Sequence, residues 1–406
     1  MTVFRGGNDV DTLIAEDAAD TVRGRGGGDL LAGGNGIDTV FGGLGDDTIF
    51  GDRIVIDVGD NEFRPHATAN DGGDVVFGGG GIDEVTAGGG ADTVYGGAGN
   101  DVLLGEAFGD LTVVGSGNDS MFGGDGDDLV IGVKGNDRLH GAAGNDRLDG
   151  HSGSDTLWGG AGDDQLTGED AYADEVAPGY DLLFGGAGDD TLIDESAGTL
   201  YGGTGEDVLD GGIGAWRGGR VVLFGGEGND RLTGDLNGTM SGDAGDDVIE
   251  GTARKFYGGD GDDTMSSSSI EGVRLNGGDG NDTIGPGIAY YASAAADLVK
   301  GEDGDDTLYL YGADRGYGGS GSDEFIFTGD DGQARKRILD FEPLVDTLGF
   351  RADGLVVSNV LIETVDRPPG RPGDVRVRIE VDGGRIAQDV LLVGVDDVAG
   401  IAVHFA

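Results

Sequence analysis

Apolar residues recur at a spacing of nine along most of the chain, each two positions after an aspartate and just behind a glycine-rich stretch. Two consecutive copies occupy residues 33–41 and 42–50 and share the pattern Gly-Gly-x-Gly-x-Asp-x-(apolar)-x. The glycine-rich half predicts a tight turn, because glycine accepts the positive φ angles that such turns need. The last three residues predict a strand too short to be stable alone. The pattern therefore predicts stacked repeats, which grow by adding turns rather than separate cores.

This nine-residue unit, at this copy number, resembles the calcium-binding nonapeptide of the RTX (repeats-in-toxin, haemolysin-type) family. The resemblance implies an all-β fold, a right-handed parallel β-roll in which two units make one turn. Every second unit would then stack about 4.8 Å from the last. The aspartate at position six would supply oxygen to Ca²⁺, and the apolar residue at position eight would point into a shared core.

One set of alternate units, which we call row A, is complete. Its sixteen units begin at residue 6 and end with the unit that begins at residue 318, and each has aspartate at position six and an apolar residue at position eight. The row-A candidate calcium ligands are Asp11, Asp29, Asp47, Asp83, Asp101, Asp128, Asp146, Asp164, Asp190, Asp207, Asp230, Asp247, Asp263, Asp282, Asp306 and Asp323.

The other set, row B, keeps the motif only in part. Its candidate ligands are Asp38, Asp92, Asp119, Asp137 and Asp155. After residue 160 almost no row-B unit keeps the motif, and the long insertions fall on this row at 51–77, 105–122, 168–184, 211–224 and 286–300. We therefore expect one continuous calcium edge and a second edge that loses its sites and carries loops.

The net charge of −53 makes a cation the expected partner. Stacked carboxylates about 4.8 Å apart repel by roughly 3.5 kcal/mol at an effective dielectric of about 20. A divalent cation in each gap reverses that repulsion, and about fifteen ions would bring the net charge of −53 to about −23. Glycine carbonyls could complete the ligand set, together with an acid or amide at position five. Such position-five residues are Asp46, Asn100, Asp127, Asn145, Asp189 and Asp305.

Calcium suits these ligands better than other metals. Mg²⁺ keeps its waters, and the lack of cysteine with only four scattered histidines argues against Zn²⁺ and Cu²⁺. No site exists before the turns stack, so calcium binding and folding are expected to be one event.

No catalytic residue is predicted, and we expect a protein that is not an enzyme. His66, His140, His151 and His404 form no His-Glu-x-x-His motif, no Gly-x-Ser-x-Gly elbow occurs, and the repeats begin by residue 6. We expect His140 and His151 to be surface residues at loop-like positions of row B. A rank of threonines for ice binding is also missing, since position three of row A has threonine only at Thr204.

The charge also argues against binding of nucleic acid or anionic membranes. No apolar run is long enough to span a bilayer, and the first residues lack the apolar core of a Sec-type signal peptide. The resemblance implies export by type I secretion machinery, with an uncleaved C-terminal signal and folding in extracellular calcium.

The row-B insertions are the candidates for recognition, because they contain aromatic residues and arginine. These residues are Phe63–His66, Tyr172, Tyr180, Trp216, Arg217, Arg220, Lys255–Tyr257, Tyr290 and Tyr291. They either cover the roll where calcium sites are lost or form a binding face for a cell-surface polysaccharide or a partner protein.

Two domains are predicted, a calcium-binding roll at 1–327 and a C-terminal β cap at 328–406. The alternation in Val375–Val381 predicts an antiparallel strand, and Asp382–Gly384 predicts a hairpin turn. Arg337–Phe341, followed by Asp346–Leu348, is similar to segments that cap RTX rolls. A cap is needed because the last turn would otherwise expose apolar residues and a strand edge.

The leading hypothesis is a secreted calcium-binding repeat protein with a structural or adhesive role at the cell surface or outside the cell. The alternative is a calcium-dependent targeting or accessory module of an extracellular protease, lipase or polysaccharide-modifying enzyme.

Overall fold

A computed structural model describes most of the chain, and its described residues form β-strands without helices. The described residues are 1–15, 18–51, 54–57, 62–65, 72–105, 117–168, 179–195, 197–212, 220–234, 238–268, 272–286, 296–311, 314–327, 336–350, 357–365, 374–381, 385–393, 395 and 400–405. Among these residues, no helix has the length and apolarity needed to cross a membrane. The chain divides into two compact units, Met1–Val221 and Val222–Ala406.

The first unit contains the repeats of the N-terminal half. Its strands are β1 (Val3–Arg5), β2 (Thr12–Ile14), β3 (Thr21–Gly26), β4 (Leu30–Ala32), β5 (Thr39–Leu44), β6 (Thr48–Phe50), β7 (Ile54–Asp57), β8 (Glu62–Pro65), β9 (Val75–Gly80), β10 (Glu84–Thr86), β11 (Thr93–Ala98), β12 (Val102–Leu104), β13 (Ser120–Asp125), β14 (Leu129–Lys134), β15 (Arg138–Ala143), β16 (Arg147–Ser152), β17 (Thr156–Ala161), β18 (Gln165–Thr167), β19 (Asp181–Ala187), β20 (Thr191–Ile193), β21 (Gly198–Thr204) and β22 (Val208–Asp210).

Two parallel sheets form this unit, because alternate strands pair. β3 pairs with β5 and β5 with β9 in one sheet, while β4 pairs with β6 and β6 with β10 in the other. The insertions do not disturb the register, since Thr39 lies opposite Val75 and Thr93 lies opposite Ser120. The prediction of a parallel β-roll is confirmed. Strands β7 and β8, inside the 51–77 insertion, form a separate antiparallel hairpin.

The second unit continues with further repeats and ends in antiparallel strands. Its strands are β23 (Val222–Glu227), β24 (Arg231–Gly234), β25 (Thr239–Ala244), β26 (Val248–Gly251), β27 (Lys255–Asp260), β28 (Thr264–Ser267), β29 (Arg274–Asp279), β30 (Thr283–Pro286), β31 (Leu298–Asp303), β32 (Thr307–Leu310), β33 (Arg315–Ser320), β34 (Glu324–Phe327), β35 (Lys336–Ile338), β36 (Thr347–Phe350), β37 (Val357–Val365), β38 (Asp374–Val381), β39 (Arg385–Val393) and β40 (Ala402–Phe405).

The end of the second unit is a small antiparallel cap, as predicted. β39 pairs in parallel with β35, the last strand of one sheet, and β37 and β38 extend it as an antiparallel meander. β40 pairs in parallel with β36, the last strand of the other sheet. The last repeat strand of each sheet, β35 and β36, therefore has a further strand paired along its edge. The predicted hairpin turn at Asp382–Gly384 lies outside the described residues.

The core consists of two columns of position-eight residues, one from each row. Leu103, Val130 and Leu148 of row A, and Met121 and Leu139 of row B, are fully buried. Most turns bury an apolar side chain on each side, which is worth about 1.5–3 kcal/mol per residue; at β33 the row-B core position is Gly316, which is packed against Phe325 and Leu310. Such a column lies between the sheets throughout both units, as the periodicity predicts.

The glycine-rich halves form the turns at the edges of the sheets. Gly79 and Gly81 have φ angles of 124° and 134°, values that a residue with a side chain rarely adopts. Their stacking on the turns before and after brings the position-six aspartates into rows along each edge.

Candidate metal centre

Row A is a ladder of buried aspartates linked by hydrogen bonds. The backbone N–H of Asp83 donates to Asp101 Oδ1 at 2.9 Å, and the N–H of Asp101 donates to Asp128 Oδ1 at 2.7 Å. Each of these carboxylates is at most 3% exposed. The same bond recurs between successive row-A aspartates from Asp11 to Asp207 in the first unit, and from Asp230 to Asp323 in the second.

The row-A ladder has one rung more than the motif predicts. The N–H of Asp323 donates to Asp346 Oδ1 at 3.1 Å, and the N–H of Glu342 donates to Asp346 Oδ2 at 2.7 Å. Asp346 precedes β36 just as the other rungs precede their strands. The sequence missed this rung because the turn before it has no glycine pair; its signal is Asp-Thr-Leu, an aspartate two positions before a buried apolar residue.

Row B is also a ladder, and the predicted ligands Asp38, Asp92, Asp119, Asp137 and Asp155 all lie in it. The prediction that row B largely loses its aspartates is wrong at several turns. The additional rungs are Asp20, Asp74, Asp181, Asp297 and Asp314. Each of them lies nine residues before a row-A aspartate, but its unit does not begin with the paired glycines of the motif. The motif therefore does not identify these residues, whereas the pairing of the strands places them in the row.

Between Asp181 and Asp297, row B has no aspartate at the ladder position in the described residues. Gly198 lies opposite Asp181, and Val221, Gly238, Arg254 and Val273 precede the strands that follow. Row B is therefore interrupted, whereas row A is present in every turn of each unit.

The second carboxylate oxygen of most rungs faces the interior of a turn. Many of these Oδ2 atoms are buried and have no hydrogen-bond partner, although a buried charged oxygen normally has one. They belong to Asp29, Asp38, Asp47, Asp83, Asp101, Asp128, Asp137, Asp146, Asp164, Asp190, Asp247, Asp263, Asp282 and Asp306. Each carries acceptor capacity that a cation could satisfy.

The glycine at position one makes room for this oxygen and for a backbone carbonyl. A Cβ built on Gly78 would lie 2.5 Å from Asp83 Oδ2 and 2.6 Å from the carbonyl oxygen of Gly96 in the next turn. The same two neighbours recur at Gly96, which faces Asp101 Oδ2 and the carbonyl of Gly123. A carboxylate oxygen and a main-chain oxygen thus border many of the position-one glycines.

This donor set suits calcium. Oxygen ligands from carboxylates and backbone carbonyls are what Ca²⁺ takes, at six to eight per ion. No group of three or more histidine or acidic side chains in the described part of the chain could hold a metal by itself. A cation in these turns would therefore depend on main-chain oxygens as well as on the aspartates.

Without a cation the ladder is electrostatically unfavourable. Burial raises the pKa of Asp128 and of Asp190 to about 7, a ladder hydrogen bond partly lowers it, and the neighbouring carboxylates raise it further. Burial likewise raises the pKa of Asp83 and of Asp164 to about 6. Bound divalent cations would favour the ionised form of these carboxylates and reverse this effect.

The position-five residues form a second ladder on the surface. Asn100 Oδ1 accepts the N–H of Asp127 at 3.1 Å, and Asp127 Oδ1 accepts the N–H of Asn145 at 2.9 Å. These bonds run opposite to those of row A, since the side chain here accepts from the following turn. We expected position five to supply metal ligands. The structure shows another role for these exposed side chains, which is to link successive turns by hydrogen bonds.

The outer face of one sheet in the first unit carries a stack of aromatic rings that the motif does not predict. Its members occupy position nine of row B, where the repeat pattern specifies no residue type. The successive centroids are 4.2–5.9 Å apart in the stack Phe41, Phe77, Tyr95, Phe122, His140, Trp158, Phe184 and Tyr201.

The expected loop position of His140 is therefore wrong. His140 lies in β15, half-buried between Phe122 and Trp158, and its burial lowers the pKa of the imidazole. His151 lies at the end of β16, 3.7 Å from Asp149. His140 thus continues the strand period of its sheet, whereas His151 has a φ angle of 62° at position two of its unit, a position that belongs to the turn half of the repeat.

Several predicted recognition residues cannot be placed. His66, Tyr172, Trp216, Arg217, Tyr290 and Tyr291 lie outside the described residues, as do the side chains of Phe63–Pro65. Of the others, Tyr180 is exposed in part, and its hydroxyl lies 2.6 Å from the Thr199 hydroxyl. Tyr257 and Lys255 lie on β27, where they point outward with Phe256 buried between them.

A family model for the RTX calcium-binding nonapeptide repeat matches more than half of the chain. It matches residues 5–40, 24–53, 68–103, 105–139, 131–166, 178–193, 195–215, 217–238, 233–253, 255–269, 274–287 and 291–325. No curated protein matches the chain. A solved structure that resembles it is the AlgE6R3 subunit from the Azotobacter vinelandii mannuronan C5-epimerase, at 24% identity and a TM-score of 0.21, over 37% of this chain and 81% of the subunit.

Proposed function

Because the chain belongs to the RTX calcium-binding nonapeptide repeat family, we propose that its two aspartate ladders bind Ca²⁺ cooperatively and that this binding drives its folding. The observation that carries the proposal is the row of buried Oδ2 atoms without hydrogen-bond partners, as at Asp101 and Asp146. Many of these atoms, as at Asp101, lie beside a position-one glycine that a main-chain oxygen of the next turn also borders.

Row A would supply the continuous series of sites. Adjacent rungs are already connected by the bond from backbone N–H to Oδ1, so one oxygen of each carboxylate remains for a cation. A cation near Asp128 would also relieve repulsion from Asp101 and Asp146, which raises the pKa of Asp128. Occupation of one gap therefore favours the ordering of the next, and the transition should be steep in calcium concentration.

We further propose that the protein acts outside the cell as a non-catalytic, structural or adhesive protein after type I secretion. Supporting this role are the family, the net charge of −53 and the absence of cysteine. Free calcium is scarce inside cells and abundant outside them, so a calcium-dependent roll would fold after export. Calcium-dependent attachment of purified protein to cells would support adhesion, and an equal distribution with and without calcium would count against it.

The primary test is a calcium titration of chelator-treated protein, followed by far-UV circular dichroism and by a direct count of bound ions. We expect a steep transition from coil to β-structure, with many ions bound at saturation. Mg²⁺ at the same concentrations serves as the control and should produce little folding. Full β-structure in chelator at neutral pH, or saturation with only a few ions, would refute calcium-driven folding.

A further inference from the structure

Row B ends differently from row A. In the second unit it resumes with two rungs, and the N–H of Asp297 donates to Asp314 Oδ1 at 2.9 Å. Arg315 lies opposite Arg337 in the parallel pairing of β33 with β35, so Lys336 lies opposite Asp314. The ladder position that follows Asp314 is therefore occupied by a lysine, whose charge is opposite to that of a rung.

Lys336 is buried completely, with 0% of its side chain exposed. A buried ammonium group is costly unless a carboxylate compensates it. Asp314 is 2% exposed and interacts electrostatically with Lys336, which lowers the pKa of Asp314 against the larger opposing effect of burial. The lysine thus brings its positive charge to the end of the carboxylate row, in the interior of the roll.

The hydrogen bonds of Asp314 also differ from those of an ordinary rung. Its Oδ1 accepts from Asp297 as usual, and its Oδ2 accepts the N–H of Tyr311 at 2.7 Å. The N–H of Asp314 turns back to the Tyr311 carbonyl at 3.3 Å, because the next turn offers no Oδ1. At this rung the backbone N–H therefore donates to a carbonyl instead of to a ladder carboxylate. The Oδ2 atom, which other rungs leave for a cation, already accepts a hydrogen bond.

We propose that the Lys336 ammonium is a tethered cation that takes the place of Ca²⁺ in the last gap of row B, so that this gap closes without metal. The inference rests on the proposed calcium binding of the other gaps. Its consequence is that row B beside the cap requires no calcium ion, whereas row A beside it, at Asp323 and Asp346, does.

The decisive variant is Lys336→Asp, which would restore a rung. The new carboxylate could accept the N–H of Asp314, and the gap would need a cation. We expect this variant to bind at least one Ca²⁺ more than the wild type by native mass spectrometry. It should also need more calcium for protection of β33 and β35 amides from hydrogen exchange, and reach wild-type protection at saturation.

Lys336→Met separates charge from packing. It keeps most of the side-chain volume but leaves Asp314 without a cation, so we expect weaker protection of β33 and β35 at every calcium concentration and no additional ion. Lys300→Asp is the matched control, because Lys300 lies on β31 of the same sheet, partly exposed and 2.8 Å from Glu302. It should gain no ion and leave protection of β33 unchanged.

Wild-type protection in Lys336→Met, or a Lys336→Asp variant that binds no additional ion and stays destabilised at saturating calcium, would overturn the assignment of Lys336. The wild-type titration tests the proposed function separately. A wild type that folds without calcium refutes that function, whereas a normal wild-type transition with either of these variant results refutes the tethered cation alone.

Discussion

Replacement of one rung by its amide should have opposite effects with and without calcium. In Asp128→Asn the side-chain Oδ1 can still accept the N–H of Asp101, now 2.7 Å away, so the ladder bond survives. The charge disappears, and with it both the repulsion in the empty ladder and a ligand for the cation. The variant should therefore stabilise the calcium-free roll and weaken the calcium-bound one.

The pKa of Asp128 gives the magnitude. Burial and neighbouring carboxylates raise it from 3.8 to about 7, a difference of about 3 pH units. At about 1.4 kcal/mol per unit this corresponds to about 4 kcal/mol for the ionised group, and we take about half, 2 kcal/mol, to allow for solvent screening. In calcium we expect one or two fewer bound ions, because the rung borders two gaps.

The assay has two arms, each followed by far-UV circular dichroism. In chelator, Asp128→Asn should retain β-structure to a higher pH than the wild type; in calcium at pH 7.5, its folding midpoint should move to higher calcium concentration. The control is Asp127→Asn, at an exposed position where neighbouring turns have Asn100 and Asn145. It should change stability by less than about 0.5 kcal/mol in both arms. Equal effects of the two variants, or an unchanged calcium midpoint in Asp128→Asn, would refute the assignment of the buried rung as a ligand.

Three further predictions follow from the same geometry. Burial raises the pKa of Asp190 and of Asp282 from 3.8 to about 7, so protonation of these carboxyl groups favours the calcium-free roll. In chelator, the stability of the roll should be highest below pH 4 and be lost as the pH rises to 7. In saturating calcium, the circular dichroism signal should stay constant over this pH range. Gly78→Ala places a Cβ 2.5 Å from a rung oxygen and should raise the calcium needed for folding severalfold, while Gly80→Ala, whose Cβ meets nothing closer than 3.6 Å, should match the wild type in the same titration. Trp158→Ala removes a half-buried ring whose centroid lies 4.2 Å from that of His140. It should lower the free energy of unfolding in calcium by about 1–3 kcal/mol, as measured by urea denaturation. An unchanged urea midpoint would show that the ring stack contributes nothing to stability.

The nine-residue period predicted the core residues and sixteen row-A rungs, and the family resemblance of the repeat implied the parallel roll. Position six and position eight are specified by each turn itself, so residues such as Asp146 and Leu148 could be assigned without knowledge of their neighbours. Asp181 and Asp297 were missed because their units lack the paired glycines of the motif, although each lies nine residues before a row-A aspartate and two before a buried apolar residue. Nor did the sequence indicate that Lys336 faces Asp314.

The aromatic stack was missed for a related reason. The repeat leaves position nine unspecified, so Phe122, His140 and Trp158 look unrelated along the chain. They become neighbours only because parallel strands in register bring equivalent positions of successive turns together. The chemistry of a column in a roll is therefore a property of the alignment of its turns.

The hydrogen bonds of the ladder do not depend on the number of residues between neighbouring rungs, and this has a consequence for how such a protein can change. Neighbouring rungs are 16 residues apart at Asp247 and Asp263 and 36 apart at Asp47 and Asp83, yet both bonds measure 2.8 Å. Closing a flexible loop twice as long costs only about 0.6 kcal/mol more. Row B of the roll is thus a scaffold on which segments of very different length can be exchanged, by evolution or by design, without moving a row-A rung.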